Sequence, residues 1–178
     1  MPLGSLKIRL FGDPCLREKS KPLKEVGPVE RMLIAAMFET VHAYKGIGLA
    51  APQVGINEQI FVIDTGDHVM AVINPKILKA TGSDEMEEGC LSIPNLQVKV
   101  KRAKAVEVEF INEENRAVRA KLSGLVAKVF QHESDHLQGK MIIDYLSQAE
   151  QKKALKLIKD GIYTGKAEPH ATAGTEKI

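Results

Sequence analysis

Long hydrophobic runs are missing from this sequence: no apolar stretch approaches the ~20 residues that cross a bilayer, so no membrane segment is expected. Cysteine is scarce, with only Cys15 and Cys90 in 178 residues, and no hydrophobic secretory segment opens the chain. Both observations argue against a disulfide-stapled extracellular protein and for a reducing compartment. Charge of one sign is missing too. The 25 basic and 23 acidic residues leave a net charge of +2, a balance that speaks against direct nucleic-acid readout. Internal repeats and low-complexity tracts are lacking, and 44% hydrophobic residues suffice for one domain with a core. That domain is expected over residues 1–163, with Met1 to Ser5 read as a cloning remnant and residues 164–178, rich in Gly, Ala, Thr and Glu and including His170, as a disordered tail.

What is present is most concentrated in residues 131–139, QHESDHLQG. His132 and His136 stand four residues apart with Glu133 beside the first. On a helix that spacing puts both imidazoles on one face, one turn apart, where they can grip a single metal ion. The preceding Leu125, Val126, Val129 and Phe130 recur with helical period, so a helix is expected through this stretch. Ionisable groups inside a buried helix are costly to desolvate unless an ion compensates them, and Glu133 lies close enough to such an ion to handle the protons of a bound water. The same three fixed residues also occur on polar helix faces that bind nothing. A catalytic site needs three protein ligands and an open position. Cys90 follows a glycine in residues 86–94, MEEGCLSIP, in a strand-edge or turn context that leaves its sulfur accessible. Alone it would read as a buried thiol; beside HExxH it completes a three-ligand site.

The rest of the chain frames these two stretches. Residues 7–10 are expected as a short strand closed by a turn at Gly12, Asp13 and Pro14, with Cys15 a small packed side chain. Pro28 opens an amphipathic helix whose apolar residues Val29, Met32, Leu33, Ala36, Met37, Val41 and Tyr44 recur up to Gly46, with His42 complementing the helix dipole. Residues 46–55, GIGLAAPQVG, lack the context of a phosphate-cradling loop and read as a tight turn and strand edge, with Gln53 satisfying the backbone. Residues 60–64, 70–74, 77–80, 97–101, 106–111 and 117–123 are short and rich in Val and Ile, punctuated by Gly66, Pro75, Gly82 and the 112–115 turn. Spacings this short favour antiparallel pairing. Residues 141–145 are expected as a last extended piece. Ser147 and Glu150 then form a capping box for a helix to Ile162, with Leu155, Ile158 and Ile162 docked and Lys152, Lys153, Lys156 and Lys159 outward. Those lysines form a solvated face or a contact with an acidic partner. The fold class is α+β: mixed, mostly antiparallel sheets around a central HExxH-bearing helix, with an N-terminal amphipathic helix and a C-terminal helix.

Three stretches taken together, GIGLAAPQ at residues 46–53, EGCLS at 88–92 and QHESDHLQG at 131–139, resemble in order and separation the bacterial and organellar peptide deformylases. The opening FGDPCLREKSKPL is similar to that family's N-terminal segment, so the likeness covers residues 8–145. The resemblance implies hydrolysis of the formyl group from formyl-methionine on nascent polypeptides, with release of formate. Cys90, His132 and His136 match the metal ligands of the family and Glu133 its general acid/base, acting on water that the metal has made acidic. Gln53 and the backbone N–H of Leu91 match the donors to the developing oxyanion. Ile47, Gly48 and Gly89 match positions along which substrate adds as a strand, and the methionine pocket is implied near Ile47, Leu125, Val129 and His132. Lys128 stands where many relatives look more apolar, with its stem at the pocket rim. Glu88 and Arg102 match a pair that buttresses the ligand loop. Ser134 replaces a bulky apolar residue, which implies altered packing behind the helix. One divalent ion per chain is implied, Fe(II) in the native state, with Zn, Ni and Co also compatible. The implied location is the bacterial cytoplasm or an organelle, with a ribosome contact through the lysine-rich C-terminal helix.

Two rivals differ in class. An HExxH metallopeptidase cutting internal bonds would complete its metal with a downstream His or Glu, for which His170 is the last candidate. A non-catalytic binding protein would keep the metal as a structural clamp and close the fourth position with a protein ligand.

Overall fold

The apolar run Ile60, Phe61, Val62 and Ile63 has no polar face to offer water, and it forms a strand covered on both sides. This is β2 (Ile60–Asp64) of a five-stranded sheet that the computed structural model, which describes residues 4–163, orders β1 (Gly48–Ala50), β2, β3 (Val69–Thr81), β6 (Ala105–Ile111) and β7 (Ala117–Ser123). Phe61 and Ile63 face helix α2 (Leu125–Leu137), joining Val126, Val129 and Phe130 in one core cluster. Ile60 and Val62 face the opposite way, toward Ile34, Met37 and Val41 of helix α1 (Pro28–Ala43). Phe61 and Phe130 meet edge to face with centroids 5.1 Å apart, a contact that fixes the depth of α2 on the sheet.

A separate two-stranded sheet joins β4 (Asp84–Cys90) to β5 (Ile93–Arg102). In β5 the inward phase runs Leu96, Val98, Val100 and Arg102, while Gln97, Lys99 and Lys101 face out. Its buried side packs on Ala154 and Ile158 of helix α3 (Gln148–Tyr163) and on Met141, Ile142 and Ile143. The predicted strands at 60–64 and 117–123 have those bounds, and α2 spans the expected helix. Every strand pair of both sheets is antiparallel, and the parallel element among the described residues is the isolated bridge Lys21–Glu58.

Several expectations are corrected. Residues 7–10 form no strand, because Arg9 N–H donates to the Gln53 carbonyl at 2.7 Å and Phe11 N–H to that of Ser92 at 2.8 Å, tying the segment to two loops. On α1 the buried stripe is Ile34, Ala36, Met37, Thr40 and Val41, and Val29 and Met32 are exposed. Pro75 is no turn: β3 runs through it by a register shift between Ile73 and Lys76, with Asn74 at φ 51°. Residues 84–90 form a strand where none was expected. Their acidic composition hides it, and pairing of Glu85 with Lys101 and Glu87 with Lys99 across the ladder supplies what β propensity lacks. Residues 142–145 coil into a 3-10 turn instead of extending, since Asp144 accepts the Met141 N–H at 2.8 Å. Ser147 and Glu150 cap α3 as expected. Its docked positions are Ala154 and Ile158, while Leu155 is exposed and the side chain of Ile162 lies outside the described residues, as does the expected tail 164–178.

Candidate metal centre

Strand β4 ends where the helix face of α2 begins, so that Cys90, His132 and His136 converge although they are far apart in sequence. Their ligand atoms lie within 4.8 Å of one another, all three residues buried. Nε2 of His136 is 3.2 Å from Nε2 of His132 and 3.4 Å from Sγ of Cys90. Bonds of ~2.0–2.3 Å at tetrahedral angles would produce spacings of this size, so the donor set fits a single ion of the zinc or iron type. The burial of Cys90, 6% exposed, corrects the expectation of an accessible sulfur: it faces the histidines, not solvent.

The ring of His132 is oriented by a carboxylate. Its Nδ1 stands 2.9 Å from Oε2 of Glu88. Since that oxygen accepts, Nδ1 carries the proton and Nε2 keeps its lone pair for the metal side. Glu88 is itself clamped by Arg102, whose Nε meets Oε1 and whose Nη2 donates to Oε2 at 2.8 Å. Arg102 continues through Nη1 to Asp135 Oδ2 at 3.0 Å, and the Tyr145 hydroxyl donates to the same carboxylate oxygen at 2.7 Å. Burial alone would raise the Glu88 carboxyl, but hydrogen bonds from His132 and Arg102 outweigh it and hold it below the usual carboxylate range. Burial likewise opposes charge on His132, yet hydrogen bonds to Cys90 and Glu88 and the charge of Glu133 lift it to about 10. A bound ion would take the place of that second proton on Nε2. Among the described residues His136 has no carboxylate partner: burial and the charge of His132 keep it well below its ordinary value, neutral and able to ligate.

Glu133 lies in the same pocket, 1% exposed, with Oε2 lacking any hydrogen-bond partner. Desolvation pushes its carboxyl up to about 7, against the lowering charges of His132 and Arg102. Gln53 approaches from the 3-10 turn Ala51–Val54 after β1. Its Oε1 accepts the Ala50 N–H at 2.8 Å, and because a backbone amide can only donate, the amide nitrogen must face the other way. Nε2 therefore points at the site, 3.2 Å from Ser92 Oγ and 3.5 Å from Cys90 Sγ. Leu91 follows Cys90 in the two-residue turn between β4 and β5, which sets its amide beside the sulfur.

The remaining expected residues are accounted for by neighbourhood. Gly48 sits on β1 with its α-carbon against Glu133 and Val129, and a side chain there would collide with both. Gly89 precedes Cys90 on β4, where a Cβ would come within 3.0 Å of Gln97 Nε2. Ile47 and Leu125 are half-buried on the core cluster that contains Val129. Ser134 faces away from the metal ligands and donates to the Phe130 carbonyl at 2.7 Å. Cys15 takes no part: its Sγ donates to the Pro52 carbonyl at 3.3 Å and burial pushes its thiol up to about 11. His42 pairs with Asp64 at 2.6 Å on the far side of the sheet. Sequence reasoning gave no role to Asp135, Tyr145 or Ser92. A signal for Asp135 existed in its position one turn beyond His132 on α2; Tyr145 is brought in only by the 3-10 turn.

The sequence model of the Polypeptide deformylase family matches residues 5–152. A peptide deformylase of Thermotoga neapolitana is 44% identical over 155 residues, covering 86% of this chain and 94% of that protein. Among solved structures, a peptide deformylase from Legionella pneumophila superposes with a TM-score of 0.87 at 33% identity, covering 93% of this chain and 99% of that one. The peptide deformylase of Synechococcus elongatus, solved in complex with actinonin, reaches 0.81 at 39% identity, covering 88% and 86%. With a family match of this extent, and with relatives that align along nearly their whole length, the chain belongs to the polypeptide deformylase family of hydrolases.

Proposed function

We propose that this chain removes the N-formyl group from formyl-methionine at the start of nascent polypeptides, with release of formate. One observation carries the reading: the buried carboxylate of Glu133, with its Oε2 free of any hydrogen bond, stands close enough for its charge to act on His132 in a Cys90, His132 and His136 group whose spacing suits one ion. An ion held there supplies Lewis acidity, making water acidic and polarising the formyl carbonyl. Everything else falls to the chain's own groups. Glu133, poised near neutrality, takes the proton of the attacking water and returns it to the leaving amine. Gln53 Nε2 and the Leu91 N–H donate to the oxyanion as the carbonyl becomes tetrahedral; losing the Gln53 donor should cost ~10²–10³ in rate. Glu88 and Arg102 hold His132 in the ligating tautomer.

Among the described residues strand β1 pairs with β2 alone, so its other edge can take substrate as an added strand past Ile47 and Gly48, with Gly89 of β4 assigned to the substrate's other side. Leu125 and Val129, which share one core cluster with Ile47, are the side chains assigned to the methionine recess. Formate release from a formyl-Met peptide, compared with cleavage of an internal bond, tests the reaction. Glu133→Ala should retain the metal and lose turnover; full activity in that variant would remove the assigned role. An internal peptidase has less support, because Cys90 stands with His132 and His136 as the third ligand; His170 lies outside the described residues.

The thiolate and imidazole donors suit Fe(II) as the native ion. Zinc recovered from protein purified without oxygen, at full activity, would overturn that. The setting proposed is the bacterial cytoplasm. No helix among the described residues is long and apolar enough to cross a membrane. Lys152, Lys153, Lys156 and Lys159 are exposed on α3 and offer a basic face to a ribosome; cosedimentation unchanged by reversing their charge would exclude that contact.

A further inference from the structure

Three of the turns that frame the candidate site are tied to one short stretch near the start of the chain. The Arg9 N–H donates to the carbonyl of Gln53 at 2.7 Å and the Phe11 N–H to that of Ser92 at 2.8 Å. Gln53 is one assigned oxyanion donor, and Ser92 follows the other, Leu91. Two residues of chain reach at most ~7 Å, so this pair of bonds limits how far apart the two donor turns can stand. Cys15 Sγ adds a bond to the Pro52 carbonyl at 3.3 Å, in the same turn as Gln53. The third turn follows α2. There the Ser20 N–H donates to the Leu137 carbonyl at 2.9 Å, and the Arg17 carbonyl lies so close to Gly139, at φ 70°, that a Cβ there would collide with it. Residues 9–20 thus form a strap across all three.

One side chain closes the strap. The Arg17 guanidinium donates to both carboxylate oxygens of Asp144, at 2.6 and 3.1 Å, and to the Gly139 carbonyl at 3.3 Å. It also stands over the Phe11 ring, 5.5 Å from the centroid. Phe11 in turn carries the bond to Ser92. Neighbouring Leu16 is 1% exposed and shares a core cluster with Ile93, Met141 and Ile142, so this end of the strap is anchored without Arg17. The Arg17 and Asp144 side chains are 43% and 31% exposed, a setting in which an ion pair adds little to stability. What a two-bond fork supplies instead is orientation, and here it orients the cation over Phe11.

We propose that Arg17 is a positioning residue for the reaction: fixed by Asp144 and stacked on Phe11, it holds residues 9–11 in the register that brings Gln53 Nε2 and the Leu91 N–H onto one oxygen. The inference rests on the deformylase reading above and deepens it by naming a residue on which the alignment of the donor pair depends. Donors that meet the oxygen only as it becomes an oxyanion act on the transition state, so their misalignment falls on kcat and leaves KM in place.

The test measures kcat and KM for formate release from formyl-Met-Ala-Ser, with metal content, on metal-loaded wild type, Arg17→Ala, Gln53→Ala and the double variant. Arg17→Ala should lower kcat about tenfold with KM and metal content unchanged, because a misplaced donor loses part of the ~10²–10³ that a deleted one costs. With Gln53 truncated no spacing between donors is left to keep, so adding Arg17→Ala should lower kcat by less than about twofold. Arg17→Gln, which keeps a donor without the fork, carries the same expectations and replaces Arg17→Ala if the latter does not fold. A fall in kcat of less than about threefold overturns the proposal, as does a fall that exceeds about twofold beside Gln53→Ala or one matched by a rise in KM or a loss of metal. Wild type that releases no formate from formyl-Met-Ala-Ser would instead overturn the reading beneath it.

Discussion

The two helices that cover the five-stranded sheet bury different chemistry. Helix α1 buries Ile34, Met37 and Val41, and its one buried polar side chain, Thr40, is satisfied locally: the hydroxyl donates to the Ala36 carbonyl at 2.6 Å and accepts the Leu6 N–H at 2.8 Å. Helix α2 buries Val126, Val129 and Phe130 toward the sheet, Glu133 beside Val129 against Gly48 of β1, and His132 and His136 toward Glu88 and Cys90. Shape alone is enough for the first. The second must offset the desolvation of three ionisable groups, which requires partners built elsewhere in the chain, Glu88, Arg102 and Tyr145, together with Asp135 of α2 itself. Glu133 Oε2 and His136 Nδ1 still lack partners. What α1 contributes is stability, and what α2 holds is stability given up locally for chemistry.

The contrast can be broken at the clamp. Arg102→Ala leaves Glu88 buried without its cation, so it should cost ~3–5 kcal/mol and loosen the grip on the ion, since His132 loses its orienting partner. Denaturant unfolding together with metal analysis checks this; unchanged values for both would deny the clamp any role. On α1, Met37→Ala removes a fully buried side chain and should destabilise by ~2–5 kcal/mol through the cavity. Metal content per folded molecule should stay as in wild type, and a drop would show that the helices are not separable. A smaller effect is expected at Asp144, whose carboxyl is held below its ordinary value by the Arg17 guanidinium and the Met141 N–H despite some burial. A folded-state value below the unfolded one means stability that is complete above the unfolded carboxylate range and is lost as pH falls through the depressed value. Asp144→Asn should therefore cost up to ~1 kcal/mol near neutrality, with little or no difference from wild type in strong acid. A cost that does not shrink on acidification would assign the effect to packing. At the bottom of the scale, Met32→Gln on the exposed side of α1 should change stability by less than ~0.5 kcal/mol. A larger loss in thermal unfolding would mean that this face is covered.

How legible these features were in the sequence follows their physical range. The bounds of α2 and the strands at Ile60–Asp64 and Ala117–Ser123 were readable because their side chains carry the helical or strand period themselves. Gln53 as the satisfier of a strand edge was readable for the same reason, since its acceptor role toward Ala50 is local. β4 was not. Asp84 to Glu88 have no strand propensity of their own, and the strand exists because the opposite strand presents lysines in register. The buried stripe of α1 was misjudged because Val29 and Met32 share its period, but no element covers that side.

The residues alone determined that an HExxH helix would form and that Cys90 would be free of any disulfide partner nearby in the chain, because periodicity and residue chemistry are properties of short segments. Convergence of that sulfur with two imidazoles, the turning of Arg102 inward beneath Glu88, and the meeting of Lys128 with Asp84 were decided only in three dimensions. Each depends on how β4 lies across α2, and that placement is set by the packing of two sheets and their helices, which no local stretch of sequence encodes.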